Sequence, residues 1–192
     1  MEELVELLKK TNHITFEIKE KYFKEKNYKE IRQWLEEHNL DRHMCIDFRS
    51  SGVIPIITNE NEKKALLQIR TSEKNAIGVF GGGVEDNESS KETAIRELKE
   101  ELSLEIKPEQ LEFMCVNDHC LTYVNGDKAH YLADVHILKL IEFPYVKLDF
   151  ESNGIICLSE KNIDDYILPD SDKALKINKD WINIIKRALS EY

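Results

Sequence analysis

Glu97, Glu100 and Glu101 recur at i, i+3 and i+4 in the stretch Arg96-Glu97-Leu98-Lys99-Glu100-Glu101-Leu102. On a helix this spacing gathers three carboxylates on one side, next to an apolar stripe made by Ala94, Leu98 and Leu102, which are spaced by four. Like charges so placed destabilise a helix by roughly 0.2–0.5 kcal/mol per pair, so a compensating group is expected. A hard divalent cation with oxygen ligands is the candidate. Arg96 adjoins the three acids and can hold a carboxylate through a bidentate hydrogen bond. A solvated charged face is the commoner fate of such a run. Gly81-Gly82-Gly83, just upstream, shifts the balance. Glycine permits close backbone approach, and exposed backbone groups can meet a metal or a phosphate.

The helix that carries these acids is expected to begin near Glu88 to Ser90, after a glycine-rich turn at Gly81-Gly82-Gly83. Ahead of it, Val53-Ile54-Pro55-Ile56-Ile57 and Ala65-Leu66-Leu67-Gln68-Ile69 read as strands joined by a turn at Asn59-Glu60-Asn61-Glu62. Strand signals return at Glu112 to Asn117, at His130 to Leu140 and at Ile155 to Leu158, and an amphipathic helix with Trp181, Ile184 and Ile185 closes the chain over Asp180 to Ala188. Residues 1–40 are rich in Lys and Glu. Leu4, Leu7 and Leu8 recur at helical spacing, as do Ile31, Trp34, Leu35 and His38, whereas Ile14-Thr15-Phe16-Glu17-Ile18 alternates in the manner of a short strand. The mixture predicts an α/β (α+β) layered domain with a mixed sheet. A helical extension, residues 1–42, would precede a main domain over residues 43–192.

Residues 82–104 resemble the signature of the Nudix hydrolase family. That signature is Gly, five residues, Glu, seven residues, Arg-Glu, an aliphatic residue, any residue, Glu-Glu, any residue, Gly and an aliphatic residue. Gly82, Glu88, Arg96, Glu97, Leu98, Glu100, Glu101 and Leu104 stand at the required spacings, and Ser103 replaces the second glycine. Phe80 stands where many members have proline. The pattern of the flanks extends the likeness over about residues 45 to 170, leaving the first 40 residues outside it. The resemblance implies a Nudix-type α/β/α sandwich and a metal-dependent cleavage of a pyrophosphate linkage in a nucleoside diphosphate derivative or related small molecule. It further implies that Glu97, Glu100 and Glu101, with the Gly81 carbonyl, hold Mg²⁺ or Mn²⁺. Arg96 would orient Glu97, Glu88 would brace the loop–helix junction, and Gly82 and Arg70 would face substrate. Arg70 can equally cap an exposed strand end. The general base varies within the family, and Glu142, Asp149 and Glu151 are candidates outside the signature. A non-catalytic nucleotide-binding regulatory domain is the alternative, and an isomerase of prenyl diphosphates a third class, which would need a reactive cysteine. Ser103 falls where glycine normally ends the helix in the left-handed conformation, so it would cost about 1 kcal/mol or end the helix differently.

Other residues weigh less. His130, Asp134 and His136 share one face of their strand, which either lines a cleft or faces solvent, and Trp34, Tyr123 and Tyr145 can stack a base or pack in a core. Formal net charge is −10, which argues against an extended nucleic acid as partner but not against a small anion met through a bound metal. No apolar run is long enough to span a membrane, and the chain opens on Glu2-Glu3-Leu4 without a secretory pattern, so a cytoplasmic protein is expected. Cys45, Cys115, Cys120 and Cys157 contain no CxxC pair and are expected as buried free thiols. The stripes of the first 40 residues should pack on the domain or on a second subunit, which makes a homodimer an expectation too.

Overall fold

The computed structural model describes residues 2–59, 62–71, 76–123, 125–166, 177 and 179–192. They divide into two compact units, one of residues 1–49 with 118–132, the other of residues 50–117 with 133–192. Among the described residues no helix is long and apolar enough to cross a membrane.

The first unit opens with α1 (Glu2–Thr11), β1 (His13–Ile14), α2 (Phe16–Tyr22) and α3 (Tyr28–Glu37). Of the alternating stretch from Ile14 to Ile18, only Ile14 belongs to a strand, and Phe16 to Ile18 open α2. Thr15 decides the break, because its extended backbone and side-chain oxygen, which accepts from the Ile18 N–H, make it a helix N-cap. Asn27 and Glu30 form a reciprocal capping box at the start of α3. Leu4, Leu8, Ile31, Trp34 and Leu35 bury the predicted stripes in the unit's own core, while Leu7 stays partly exposed.

After α3 come the long strand β2 (Cys45–Asn59), β3 (Glu62–Arg70), β4 (Ile77–Gly78) and β5 (Phe80–Gly83), then α4 (Ser90–Leu102), β6 (Leu111–Thr122), β7 (Lys128–Leu140), β8 (Ser152–Leu158) and α5 (Lys179–Glu191); β2, β6 and β7 contribute residues to both units. Strand order is β4-β3-β2-β7-β6, with β5 also on β2 and β8 also on β3, and β1 pairs with β2 in parallel while the registered neighbours of β2 and β3 run antiparallel. The sheet is therefore mixed. Alternation along β2 and β3 sends Ile54, Ile56, Ala65 and Leu67 to a core shared with Ile185, Ala188 and Leu189 of α5. Val53, Ile57 and Leu66 go to the opposite core, with Ala94, Leu98 and Leu102 of α4. A helix on each face makes the expected α/β/α sandwich, and each buried Leu or Ile contributes about 1.5–3 kcal/mol.

Two expectations change. Gly81-Gly82-Gly83 is an extended strand rather than a turn, pairing with Ser50 to Gly52 of β2. The thiols are free, as expected, but none is fully buried, and Cys120 is exposed. Of the turn at Asn59 to Glu62, Glu60 and Asn61 lie outside the described residues; its ends are joined by the Glu62 N–H donating to Asn59 Oδ1 at 2.9 Å.

Ser103 resolves the question of the helix end. It takes the left-handed conformation, φ 54° and ψ 31°, and the backbone N–H groups of Ser103 and Leu104 return to the Leu98 carbonyl. Only a 3.4 Å hydrogen bond from its Oγ to the Lys147 carbonyl rewards the side chain. Ser103→Gly is therefore expected to stabilise the protein by about 0.5–1 kcal/mol, since glycine takes this conformation without the Cβ penalty. Denaturant unfolding checks it, and an unchanged or lowered midpoint would contradict it.

Candidate active site

α4 owes its position to three contacts with the three glycines of β5. Gly81 has φ +140°, and a Cβ there would lie 2.0 Å from the Ser51 carbonyl oxygen, so glycine alone lets β5 lie against β2. The Gly81 N–H donates to Glu101 Oε2 at 2.9 Å. A Cβ on Gly82 would lie 2.1 Å from Glu97 Oε1, so the Glu97 carboxylate occupies the space a side chain would need. The Gly83 carbonyl accepts from Arg96 Nη2 at 3.1 Å. The glycines are thus matched to Glu101, Glu97 and Arg96 in succession.

The helix start is equally determined. Ser89 caps it with Glu92 as the reciprocal partner. Arg96 sits one turn and a half in and makes a fork with Glu88, Nε to Oε1 at 3.0 Å and Nη2 to Oε2 at 3.1 Å. Its Nη1 donates to Glu97 Oε1 at 2.7 Å and to Glu100 Oε2 at 3.3 Å. Glu88 also accepts from the Thr93 hydroxyl and the Glu85 N–H. The Arg96 guanidinium and these donors hold the Glu88 carboxyl down at about 2, and the same acids raise Arg96.

Glu97 and Glu101 behave in the opposite sense. Burial raises both; for Glu101, only 3% exposed, burial first and the Glu97 charge next push the carboxyl up to about 7, against the Gly81 N–H, Arg70 and Gln68. For Glu97, burial outweighs Arg96, and the charges of Glu100 and Glu151 add to it. Glu100 is more open, at the rim. The three acids of the helix are therefore graded from deep to shallow, with the two deepest pressed together.

Gln68 joins the site from the middle of β3. It is buried at 1% exposure and donates from Nε2 to Glu101 Oε1 at 3.0 Å and to Ser152 Oγ at 2.7 Å. A glutamine inside the apolar run Ala65 to Ile69 was the signal, since a buried amide needs partners. Arg70, one residue beyond Ile69, is exposed and lies over Gly78, where a Cβ would meet its Nε at 2.5 Å; its charge reaches Glu101. Of the three downstream acids, the Glu151 charge helps raise the Glu97 carboxyl, Asp149 Oδ1 accepts from the Glu151 N–H at 3.0 Å, and Glu142 is exposed just past β7.

The predicted His130, Asp134 and His136 face is divided. His136 is buried, with Nδ1 at 3.3 Å from Ser51 Oγ, whereas His130 is held by Asp47 and Asp118. Trp34 is a core residue on Phe23 and His38; Tyr123 shares a hydroxyl–hydroxyl bond with Tyr131; Tyr145 is 93% exposed. A cleft of about 470 Å³ between Thr58, Lys63, Lys161 and Ser190 has none of the α4 acids in its wall.

Glu88→Gln gives a pH test of the fork. A carboxyl depressed in the fold contributes stability that is complete above its unfolded value near 4.5 and is lost as the pH falls toward 2. The variant is expected to be less stable at neutral pH by on the order of 2 kcal/mol, with a shallower loss of stability between those two pH values. Unfolding midpoints across that window check it, and parallel curves would contradict it.

The chain matches the NUDIX domain over residues 48–167. No curated protein matches it. Among solved structures it is similar to a MutT/nudix family protein from Enterococcus faecalis, with 20% identity, TM-score 0.51, and coverage of 74% of this chain and 55% of that one. It therefore spans little more than half of that protein. It is also similar to a C. elegans Ap4A hydrolase, with 18% identity, TM-score 0.53, and coverage of 76% and 99%. A third is the E. coli dihydroneopterin triphosphate pyrophosphohydrolase, with 17% identity, TM-score 0.57, and coverage of 75% and 96%. Likeness at these identities bears on the fold.

Proposed function

The chain belongs to the Nudix family of hydrolases, and on that premise we propose that it cleaves a pyrophosphate linkage with a divalent cation held by the α4 acids, its substrate a nucleoside diphosphate joined to a further group. The observation that carries this reading is the crowding of Glu97 and Glu101 against Gly82 and Gly81. Burial and mutual repulsion bring Glu101 up to about 7, a state that a nearby dication relieves. The donor set fits such an ion, being all hard oxygen: the carboxylates of Glu97, Glu100 and Glu101 and the backbone of Gly81. Bound there, Mg²⁺ or Mn²⁺ would neutralise pyrophosphate oxygens and lower the pKa of an attacking water.

The chain's own residues do the rest. Arg96 fixes the Glu97 carboxylate and is itself fixed by Glu88 and the Gly83 carbonyl. The Gly81 N–H and the Gln68 amide orient the two oxygens of Glu101. Arg70, exposed and close enough to act on Glu101, supplies a cation for a substrate phosphate. Glu151 takes the role of general base, since its charge is among those that raise the Glu97 carboxyl. The segment leading to Glu151 presents Phe143, Tyr145 and Phe150, each more than half exposed, and such faces favour a substrate with a nucleobase to stack. None of the four thiols is in a disulfide, in keeping with a reducing cytoplasm.

Incubating the protein with Mg²⁺ and a panel of dinucleoside polyphosphates, nucleotide sugars, ADP-ribose and nucleoside triphosphates tests the proposal. Release of phosphate or a nucleoside monophosphate from a subset is expected. Tight binding of a nucleotide with no turnover of any panel member would overturn it in favour of a regulatory binding domain.

A further inference from the structure

The first unit carries a second constellation of metal-binding chemistry, made of residues far apart in sequence and independent of the Nudix reading. His13 Nε2 stands 2.5 Å from Asp47 Oδ1, and His130 Nδ1 stands 2.9 Å from the same oxygen. The three ligand atoms all lie within 4.8 Å of one another. We propose that His13, Asp47 and His130 form a binding site for a first-row divalent transition ion, Zn²⁺ above all, separate from the all-oxygen site on α4.

The backbone puts them together. β1 pairs in parallel with β2, His13 beside Cys45 and Ile14 beside Ile46. Strand alternation then brings His13 out on the face that also carries Asp47, two residues beyond Cys45. His130 reaches the same oxygen from β7.

The groups around the three ligands are arranged as a metal site requires. Asp47 is 5% exposed, and its other oxygen, Oδ2, accepts from the Phe16 N–H at 3.0 Å, which leaves Oδ1 aimed at the two imidazoles. His130 has a carboxylate at each ring nitrogen, with Asp118 Oδ1 at 2.8 Å from Nε2. With Nε2–H donating to Asp118, the neutral ring keeps its Nδ1 lone pair toward Asp47 and His13, the carboxylate–histidine–metal arrangement that fixes both tautomer and ring orientation. Hydrogen bonds alone would instead require both nitrogens of His130 to donate, and two imidazoles to share a single oxygen.

The donor types select the ion. Two imidazoles and one carboxylate suit Zn²⁺ and its neighbours, whereas Mg²⁺ and Ca²⁺ prefer oxygen alone. Zinc bonds of about 2.0–2.2 Å at tetrahedral angles separate ligand atoms by about 3.4 Å, so the two contacts to Asp47 Oδ1 would open by less than about 1 Å, while the two imidazole nitrogens, within 4.8 Å of each other, would settle to the same separation. His13 is about one-third exposed, which leaves access for the ion and a place for water as the remaining ligand.

The test uses the full chain in millimolar Mg²⁺, titrated with Co²⁺ as a spectroscopic substitute for Zn²⁺. Expected are one equivalent bound with visible d–d absorption of tetrahedral intensity, its displacement by Zn²⁺, and selective shifts of the His13 and His130 ring signals in NMR. His13→Ala should weaken the binding at least about tenfold, and Asp118→Asn about tenfold through the ring it orients. Absence of that absorption in the unaltered protein would overturn the proposal without reliance on any variant. So would unchanged Co²⁺ affinity in His13→Ala, which would put the ion elsewhere.

Discussion

Glu101→Gln is expected to lower kcat by at least about two orders of magnitude while the melting temperature stays nearly constant. The two halves of that expectation have separate causes. Glu101 is the deepest acid of the cluster, and its negative charge is costly there, which is why its carboxyl stands near 7. A glutamine keeps the shape but cannot offer a charged oxygen to a cation, so the electrostatic stabilisation assigned to the site goes with it. The fold loses little. The amide oxygen can still accept from the Gly81 N–H, and the Gln68 amide can turn to present its own oxygen to the new NH₂ group. Removing a desolvated charge and its repulsion with Glu97 offsets what strain remains, so stability should move by no more than about 1 kcal/mol. kcat on the substrate found by the panel and a melting curve decide it. Near-normal turnover would remove Glu101 from the proposed metal site.

Gly82→Ala is expected to cost about a hundredfold in activity for a single added methyl group. Its Cβ would lie 2.1 Å from Glu97 Oε1 and 2.7 Å from the carboxyl carbon, so the carboxylate must retreat by about 1 Å or more to reach ordinary contact. That retreat strains the 2.7 Å bond from Arg96 and moves a proposed metal ligand out of place. The yielding group is the end of a flexible side chain, so the melting temperature should fall only slightly. Gly81→Ala is the contrasting control. Its Cβ would strike the Ser51 carbonyl oxygen, which is backbone, from a φ that side chains rarely adopt, so the loss there is expected in folding, at several kcal/mol. A Gly82→Ala protein with unchanged kcat and KM would show that Glu97 can act from another position.

The helix with the acids was legible because two signals agree, a stripe of period four and acids at i, i+3 and i+4, and the structure adds the Ser89 cap. The left-handed Ser103 shows that the position mattered more than the residue, since the chain bends there even without glycine. The glycines depart from the expected turn for a physical reason. Three in a row resemble a turn, but here the absent side chains admit Ser51 and Glu97 to an extended strand. Ile14 to Ile18 followed a cap rather than its alternation. His13, Asp47 and His130 share no local pattern at all. They are brought together by strand pairing between residues tens of positions apart, as in the 34 between His13 and Asp47 and the 83 between Asp47 and His130, and spacing along the chain carries no trace of that.

Hydrolysis of the best panel substrate, followed in excess EDTA and again after Mg²⁺ is restored in excess, tests the central claim most directly. If Glu97, Glu100 and Glu101 work by holding a divalent cation, turnover stops in EDTA and returns with Mg²⁺. Full activity in EDTA would contradict the account.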